Sequence, residues 1–314
     1  MFANKHMKSL AATLGPFIGL FIIVVIISIL NPGFLSFSNL LNVLRQVSIN
    51  ALIAFGMTFV ILTGGIDLSV GAILALSGAV TASLLAAGVD PVLAIALGLI
   101  IGTGLGAING LIISKGKVAP FIATLATMTI FRGATLMFTD GKPITGLGDS
   151  TFFKMIGGGY FFGIPMPAIT MLVSFVILYM VLKKTTFGRR VYAVGGNEEA
   201  SILSGIKVDR IKIYVYSLTG FLAAVAGVIL TSRLNSAQPT AGSMYELDAI
   251  AAVVLGGTSL TGGKGWIVGT LIGALIIGVL NNGLNLLGVS SFFQQVVKGS
   301  VILLAVLIDR KKSA

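Results

Sequence analysis

From Phe17 to Leu30 the chain reads FIGLFIIVVIISIL, with no charged residue and no alternation of polar with apolar positions. Runs of this kind recur along the whole sequence, separated by short loops. A helix needs about 20 apolar residues to cross the ~30 Å hydrocarbon layer, whereas membrane-barrel strands alternate in polarity. The sequence therefore reads as an all-α polytopic membrane protein, since helices satisfy their own backbone hydrogen bonds in lipid. Charge agrees with this. Only 10% of the 314 residues are charged and 56% are hydrophobic, too few charges to coat a water-facing surface.

Ten segments read as spans, at 14–30, 40–63, 67–87, 91–113, 118–138, 167–182, 211–231, 246–258, 265–287 and 292–308. An even count returns both termini to one side. With the N-terminus cytoplasmic, fifteen of the 21 lysines and arginines lie inside. Arg45, Lys142, Lys154 and Arg233 lie outside, and Arg132 and Lys298 fall within spans. The positive-inside rule accounts for this bias and for the net charge of +11, so no nucleic-acid partner is implied. Lys5 and Lys8 precede the first apolar run as in a signal peptide, but Asn31-Pro32-Gly33 follows in place of a cleavage site. That run reads as a retained helix. No segment is large enough for a separate soluble domain, so residues 1–314 read as one membrane domain. Its two long connections are external at 139–165 and cytoplasmic at 183–212.

Catalytic chemistry finds few materials. There is no cysteine, and the one histidine, His6, lies in the polar N-terminal tail. No carboxylate pair sits beside a nucleophile or metal partner, so neither an enzyme nor a resident cofactor is expected. The phosphate-cradling pattern GxxxxGK[ST] is absent; GGKGWIVGT at 262–270 lacks its spacing. Transport driven by ATP would need another subunit to bind the nucleotide.

Small residues repeat at helical spacing: Gly98, Gly102, Gly106 and Gly110; Gly220, Ala223, Ala224 and Gly227; and Gly269 with Gly273. Such faces let membrane helices approach closely, within the chain or between subunits. Glycine-rich breaks fall at Gly64-Gly65-Ile66-Asp67 and at 256–263, and helix breaks at membrane depth mark substrate routes in transporters. An edge loop reads equally well. Asp67 with Ser69 suits either helix capping or substrate passage, and Glu246 and Asp248 either a helix start or the outer mouth. Asn281 and Asn285 share a face, with Asn282 beside them, and Asn109 and Thr124 lie in neighbouring spans. Buried amides and hydroxyls either tie helices together or line a polar path.

GMTFVILTGGIDLSVGAILALSGA (56–79), GRRVYAVGGNEEASILSGI (188–206), SAQPTAGSMYELDAIAAVVLGGTSLTGGKG (236–265) and GTLIGALIIGVLNNGLNLLGVSSFFQ (269–294) resemble the permease subunits of bacterial ABC sugar importers. The resemblance is to the branch of ribose and related monosaccharide systems, and within it to the ribose permeases. It implies a fold similar to the vitamin B12 importer permease and a homodimer in the bacterial inner membrane, embedded in lipid. It also implies a cytoplasmic ATPase subunit carrying ATP and Mg, and a soluble sugar-binding receptor outside. Asn197, Glu198, Glu199, Ala200, Ser201 and Gly205 look like the EAA…G coupling loop of such permeases, with serine in the third place. The external cations Arg45, Lys142, Lys154 and Arg233 become candidates for receptor docking. Allose, xylose, galactose or a furanose-like signal would suit the same residues. A proton-coupled secondary transporter is the rival class; it usually needs a titratable residue near the midplane, and the acids here cluster near helix ends.

Overall fold

A computed structural model describes residues 2–313, with side chains from Gly15 onward except at 302, 305, 306 and 308–314. The side chains of Lys5, His6, Lys8 and of Arg310 to Lys312 lie outside that set. All ten expected segments are helical: α1 (Phe2–Leu30), α2 (Phe37–Leu62), α3 (Val70–Ala86), α4 (Pro91–Ser114) and α5 (Pro120–Thr139) in the first half. A short α6 (Thr151–Gly158) and a two-residue hairpin, Tyr160–Phe161 with Ile164–Pro165, lead to α7 (Met166–Lys184). The polar connection forms α8 (Thr186–Gly196) and α9 (Glu198–Leu203). Then follow α10 (Val208–Leu234), α11 (Tyr245–Leu255), α12 (Ile267–Leu286) and α13 (Ser291–Ser313).

Among the described residues six helices, α2, α4, α5, α7, α10 and α12, are long and apolar enough to cross a membrane, while Gly15–Leu30 and α3 are shorter apolar helices. The eleven residues of α11 rise only about 16 Å, half a crossing. The segment at 246–258, expected as a span, is therefore a half-helix. Burial orders the bundle. The apolar window of α2 is 78% buried, those of α10 and α12 67%, and that of α4 only 22%. Hence α2 runs through the middle and α4, α5 and α7 turn apolar side chains outward.

Every small-residue stripe is consumed inside the chain. Gly102 and Gly106 of α4 meet Gly220 of α10, and a Cβ on Gly106 would fall onto the Tyr216 carbonyl, 3.1 Å from the Gly220 Cα. Gly110 lies against the backbone of Ile213, and Gly227 against Leu74 of α3. Gly269 and Gly273 of α12 pack on Gly256 and Ala252. Backbone-to-backbone packing replaces the hydrophobic drive that lipid does not supply.

The end carrying most of the lysines and arginines, the basic end, gathers both glycine-rich breaks. Gly263 N–H donates to the Leu62 carbonyl (3.0 Å), and the Tyr192 hydroxyl of α8 donates to the Gly265 carbonyl (2.8 Å). Gly195 of α8 sits where a Cβ would collide with the Leu62 carbonyl and come within 2.6 Å of Gly263 N. One short surface helix thus touches the end of α2 and the segment between α11 and α12.

Candidate functional site: a polar cleft at the half-helix

At the end opposite the basic loops, a cleft of about 510 Å³ opens between α2, α10, α11, α12 and α13. It exists because the chain does not leave the bundle after Leu234. Residues 235–244 turn back inward until Gly242, at φ +70°, lies against Gly71 in the first turn of α3. The Arg132 guanidinium of α5 pins this segment, donating to the carbonyls of Pro239 (2.7 Å) and Ala241 (2.9 Å). Met244 takes the left-handed conformation (φ +69°) just before α11 begins, a backbone state that non-glycine residues seldom adopt.

Glu246 and Asp248 consequently stand in the first turn of a helix that starts deep in the bundle. Both acids open the helix as its start requires, but that helix begins inside the bundle and not at the outer mouth, and Asp248 lines the cleft. Asp248 is 3% exposed. Its Oδ2 accepts from Lys298 Nζ of α13 (3.0 Å) and lies 3.5 Å from Asn50 Nδ2, midway along α2. Asn281 of α12 faces the same cleft. The N-terminal end of α11 carries partial positive charge, so the acids of its first turn also suit the helix start.

The walls are mostly amides. Gln46 and Asn50 rise from α2, Asn281 and Asn285 from α12, and Gln294 from α13, with Gln294 Nε2 donating to Asn285 Oδ1 (2.8 Å). Asn50 Oδ1 and Asn281 Oδ1 are buried without a partner among the described residues. Unpartnered carbonyl acceptors in a polar cleft match hydroxyl donors, because a buried acceptor left unpaired is costly. Gln46, Asn50, Gln294 and Lys298 are not among the expected route residues. Gln46 and Asn50 repeat the i, i+4 amide spacing that singles out Asn281 and Asn285, and that spacing is the available signal.

The other expected residues separate from this cleft. Asn282 turns away and exchanges reciprocal bonds with Asn39 (both 2.9 Å), tying α12 to α2. Asp67, Ser69, Asn109 and Thr124 are all fully buried and form a knot around the first break. Asp67 Oδ1 accepts from the backbone N–H (2.9 Å) and hydroxyl (2.7 Å) of Ser69, which accepts from Asn109 Nδ2 (2.7 Å). Thr124 and Tyr216 both donate to the Ile66 carbonyl. Asp67 thus closes a local turn; it does not cap the first turn of α3 directly.

Of the expected docking cations, Arg233 lines the cleft and Arg45 stacks on the Tyr160 ring, 4.5 Å from its centroid. Lys142 and Lys154 pair with Asp140 and Asp149 of their own loop, at 2.9 and 2.7 Å. The polar connection, whose residues 197–205 resemble a coupling loop, carries the short helix α9. Asn197 caps α9 by accepting from the Ala200 N–H (2.9 Å), and Gly205 follows at φ +80°. Glu198 is held by Lys212 (2.7 Å), Ser201 is buried, and Glu199 and Ala200 are exposed. Ile202 and Leu203, 56% and 89% exposed, add an apolar tip that the sequence pattern does not single out.

The family model described as "Branched-chain amino acid transport system / permease component" matches residues 39–306. The ribose import permease protein RbsC of Bacillus subtilis is 72% identical over 98% of this chain and 96% of its own length. RbsC of Escherichia coli K12 is 56% identical over 94% and 92%, and the D-allose transport system permease protein AlsC of the same organism is 46% identical over 94% and 91%. No solved structure matches the chain. A family match over most of the sequence, with relatives covered almost end to end, shows that this chain belongs to the branched-chain amino acid transport system permease family.

Proposed function

We infer that the chain is the transmembrane permease subunit of a ribose importer driven by ATP and served by a binding protein. The observation that carries this reading is 72% identity, over nearly the full length of both chains, to a ribose import permease. The cleft supplies a physical route to match. Asn281, Asn285, Asn50 and Gln46 offer donors and acceptors to a neutral polyhydroxyl molecule, and a half-helix beginning deep in the bundle is a recurrent element of transporter substrate sites.

In this reading two copies assemble in the inner membrane as ten-span subunits with cytoplasmic termini, similar in fold to the vitamin B12 importer permease. The positive-inside bias supports that orientation. The basic end then faces the ATPase, which binds ATP and Mg, and α9 offers Glu199, Ile202 and Leu203 to it. The cleft faces the sugar-loaded receptor, which docks on a surface of this chain that includes Arg45, Lys142 and Arg233. Closure of the ATPase pushes on α8 and α9. Through Gly195 and Tyr192 the push reaches the end of α2 and the joint between α11 and α12, and so the floor of the cleft.

Labelled ribose uptake into proteoliposomes tests this, with chain, ATPase and receptor each omitted in turn. Uptake requiring all three is expected. If another monosaccharide passes under the same requirements while ribose does not, the substrate assignment falls and the mechanism stands. Uptake by this chain alone, without ATP, would place it among secondary transporters.

A further inference from the structure

At the basic end a second cleft, of about 380 Å³, lies between the last turn of α7, α8 and the start of α12. Its walls combine Lys183 and Arg189 with Tyr179, Tyr192 and Trp266, over a floor that includes Leu182 and Ile267. We propose that this cleft binds an anionic phospholipid, with the phosphodiester at Lys183 and Arg189 and an acyl chain along α7.

Three independent features converge on an amphipathic anion. First, neither cation has a carboxylate within ion-pair distance among the described residues. Lys183 instead donates to the Tyr179 hydroxyl (2.9 Å), and both ammonium and guanidinium retain donors for phosphate oxygens. Second, the aromatics are fixed. The indole N–H of Trp266 donates to the Gly256 carbonyl (3.0 Å) and the Tyr192 hydroxyl to the Gly265 carbonyl (2.8 Å). Their rings stand as permanent walls, at the position where amphipathic aromatics settle at a membrane interface. Third, the exposed stripe Val173, Val176, Ile177 and Met180 runs down α7 toward the cleft, giving a hydrocarbon tail a continuous apolar track. Basic pockets between membrane helices bind anionic headgroups on this principle. A soluble anion would use the cations and leave the apolar track idle, which is why lipid is the occupant chosen. The inference does not depend on which sugar is carried.

Trp266 is the sole tryptophan of the chain, so its fluorescence reports this cleft alone. The full chain would be reconstituted in phosphatidylcholine vesicles holding a small fraction of phosphatidylglycerol brominated on its acyl chains, or of brominated phosphatidylcholine. Stronger quenching by the brominated phosphatidylglycerol is expected. Its apparent preference should fall about fivefold in each of Lys183→Gln and Arg189→Gln, from the usual contribution of a basic residue near an anionic surface. Equal quenching by the two lipids, or an unchanged preference in both variants, would overturn the proposal. So would a saturable response to inorganic phosphate in plain phosphatidylcholine vesicles that both variants abolish, which would assign the cleft to a free anion. Shielding of Trp266 by added ATPase subunit, lost in both variants, would assign it to an acidic protein surface instead.

Discussion

Lys298 of α13 and Asp248 of α11 form an ion pair of 3.0 Å, with side-chain exposures of 20% and 4%. It joins the half-helix to the last helix at the floor of the polar cleft, where the Asp248 carboxylate is almost wholly buried. Breaking one side of a buried pair typically costs 3–5 kcal/mol, because the remaining charge stays buried, whereas replacing both with apolar groups is often neutral. Asp248→Ala is therefore expected to lower stability by about 3 kcal/mol, and Asp248→Ala with Lys298→Met by much less. Thermal unfolding in detergent for the two single variants and the double variant reads the difference. Equal losses in single and double variants would show that the pair carries no coupling.

Asn281 and Asn285 belong to the cleft wall, and Asn282 to the contact with Asn39. Asn281→Ala and Asn285→Ala should each lower ribose uptake by about tenfold, the value of one or two hydrogen bonds lost to the moving substrate, while leaving thermal stability nearly unchanged. Asn282→Ala should do the reverse, costing stability by stranding Asn39. Parallel uptake and melting measurements separate these outcomes, and uptake unchanged in both wall variants would remove the cleft from the route.

Close packing of α4 on α10 leaves no room at Gly106. Gly106→Val would press a branched side chain into the Tyr216 carbonyl and force the two helices apart. Overpacking of this kind costs about 1–3 kcal/mol or more, expected as a lower melting temperature and a poor yield of assembled protein. Gly104 is the control on the same helix, because a Cβ added there would meet nothing within 4 Å, and Gly104→Ala should be silent.

Coupling should respond at the tip of α9. Glu199→Arg and Leu203→Asp alter exposed groups and are expected to keep the fold while lowering ribose uptake by at least about tenfold. Co-purification of the ATPase with each variant, beside uptake, checks the assignment. Normal uptake by both variants would remove α9 from the coupling role.

Tyr192→Phe deletes one hydrogen bond, the one from α8 to the Gly265 carbonyl. A loss of about 1 kcal/mol should leave assembly and ATP hydrolysis intact while sugar moved per ATP falls about fivefold. Uptake and hydrolysis measured on the same vesicles would show the ratio unchanged if α8 transmits nothing.

Much of this fold is legible in the sequence because membrane helices advertise themselves by length and apolarity. All ten segments are helical, the residues after Asn197 form a short capped helix, and the small-residue stripes pack as helix faces should. The depth of a helix is less visible. The glycine-rich break at 256–263 leaves only about a dozen residues for the helix before it, but its depth is set by the inward turn of 235–244, which distant partners, Arg132 and Gly71, hold in place. Side-chain direction is also hard to read for adjacent residues. Asn281 and Asn282 differ by about 100° around the axis, which is enough to send one to the cleft and the other to Asn39. The knot at Asp67 shows a further limit, because buried hydroxyls and amides that bind one another look the same in sequence as those that would bind a sugar.

The glycine contacts divide the subunit mechanically. The backbones of α3, α4 and α10 lock at Gly102, Gly106, Gly220 and Gly227, and those of α11 and α12 lock at Gly256, Gly269 and Gly273. Between the two stands α2, which meshes with α10 where Gly56 meets the Thr219 backbone and otherwise buries larger side chains such as Leu52, Ile53 and Met57. Helices meshed backbone to backbone resist sliding, whereas larger side chains can change rotamer and let surfaces shear. We expect the subunit to behave as two stiff staves joined by a pliant seam, with spin-label distances constant within each stave and changing across it during turnover. The polar cleft lies on that seam, so small tilts of one stave would widen or shut it without unpacking either.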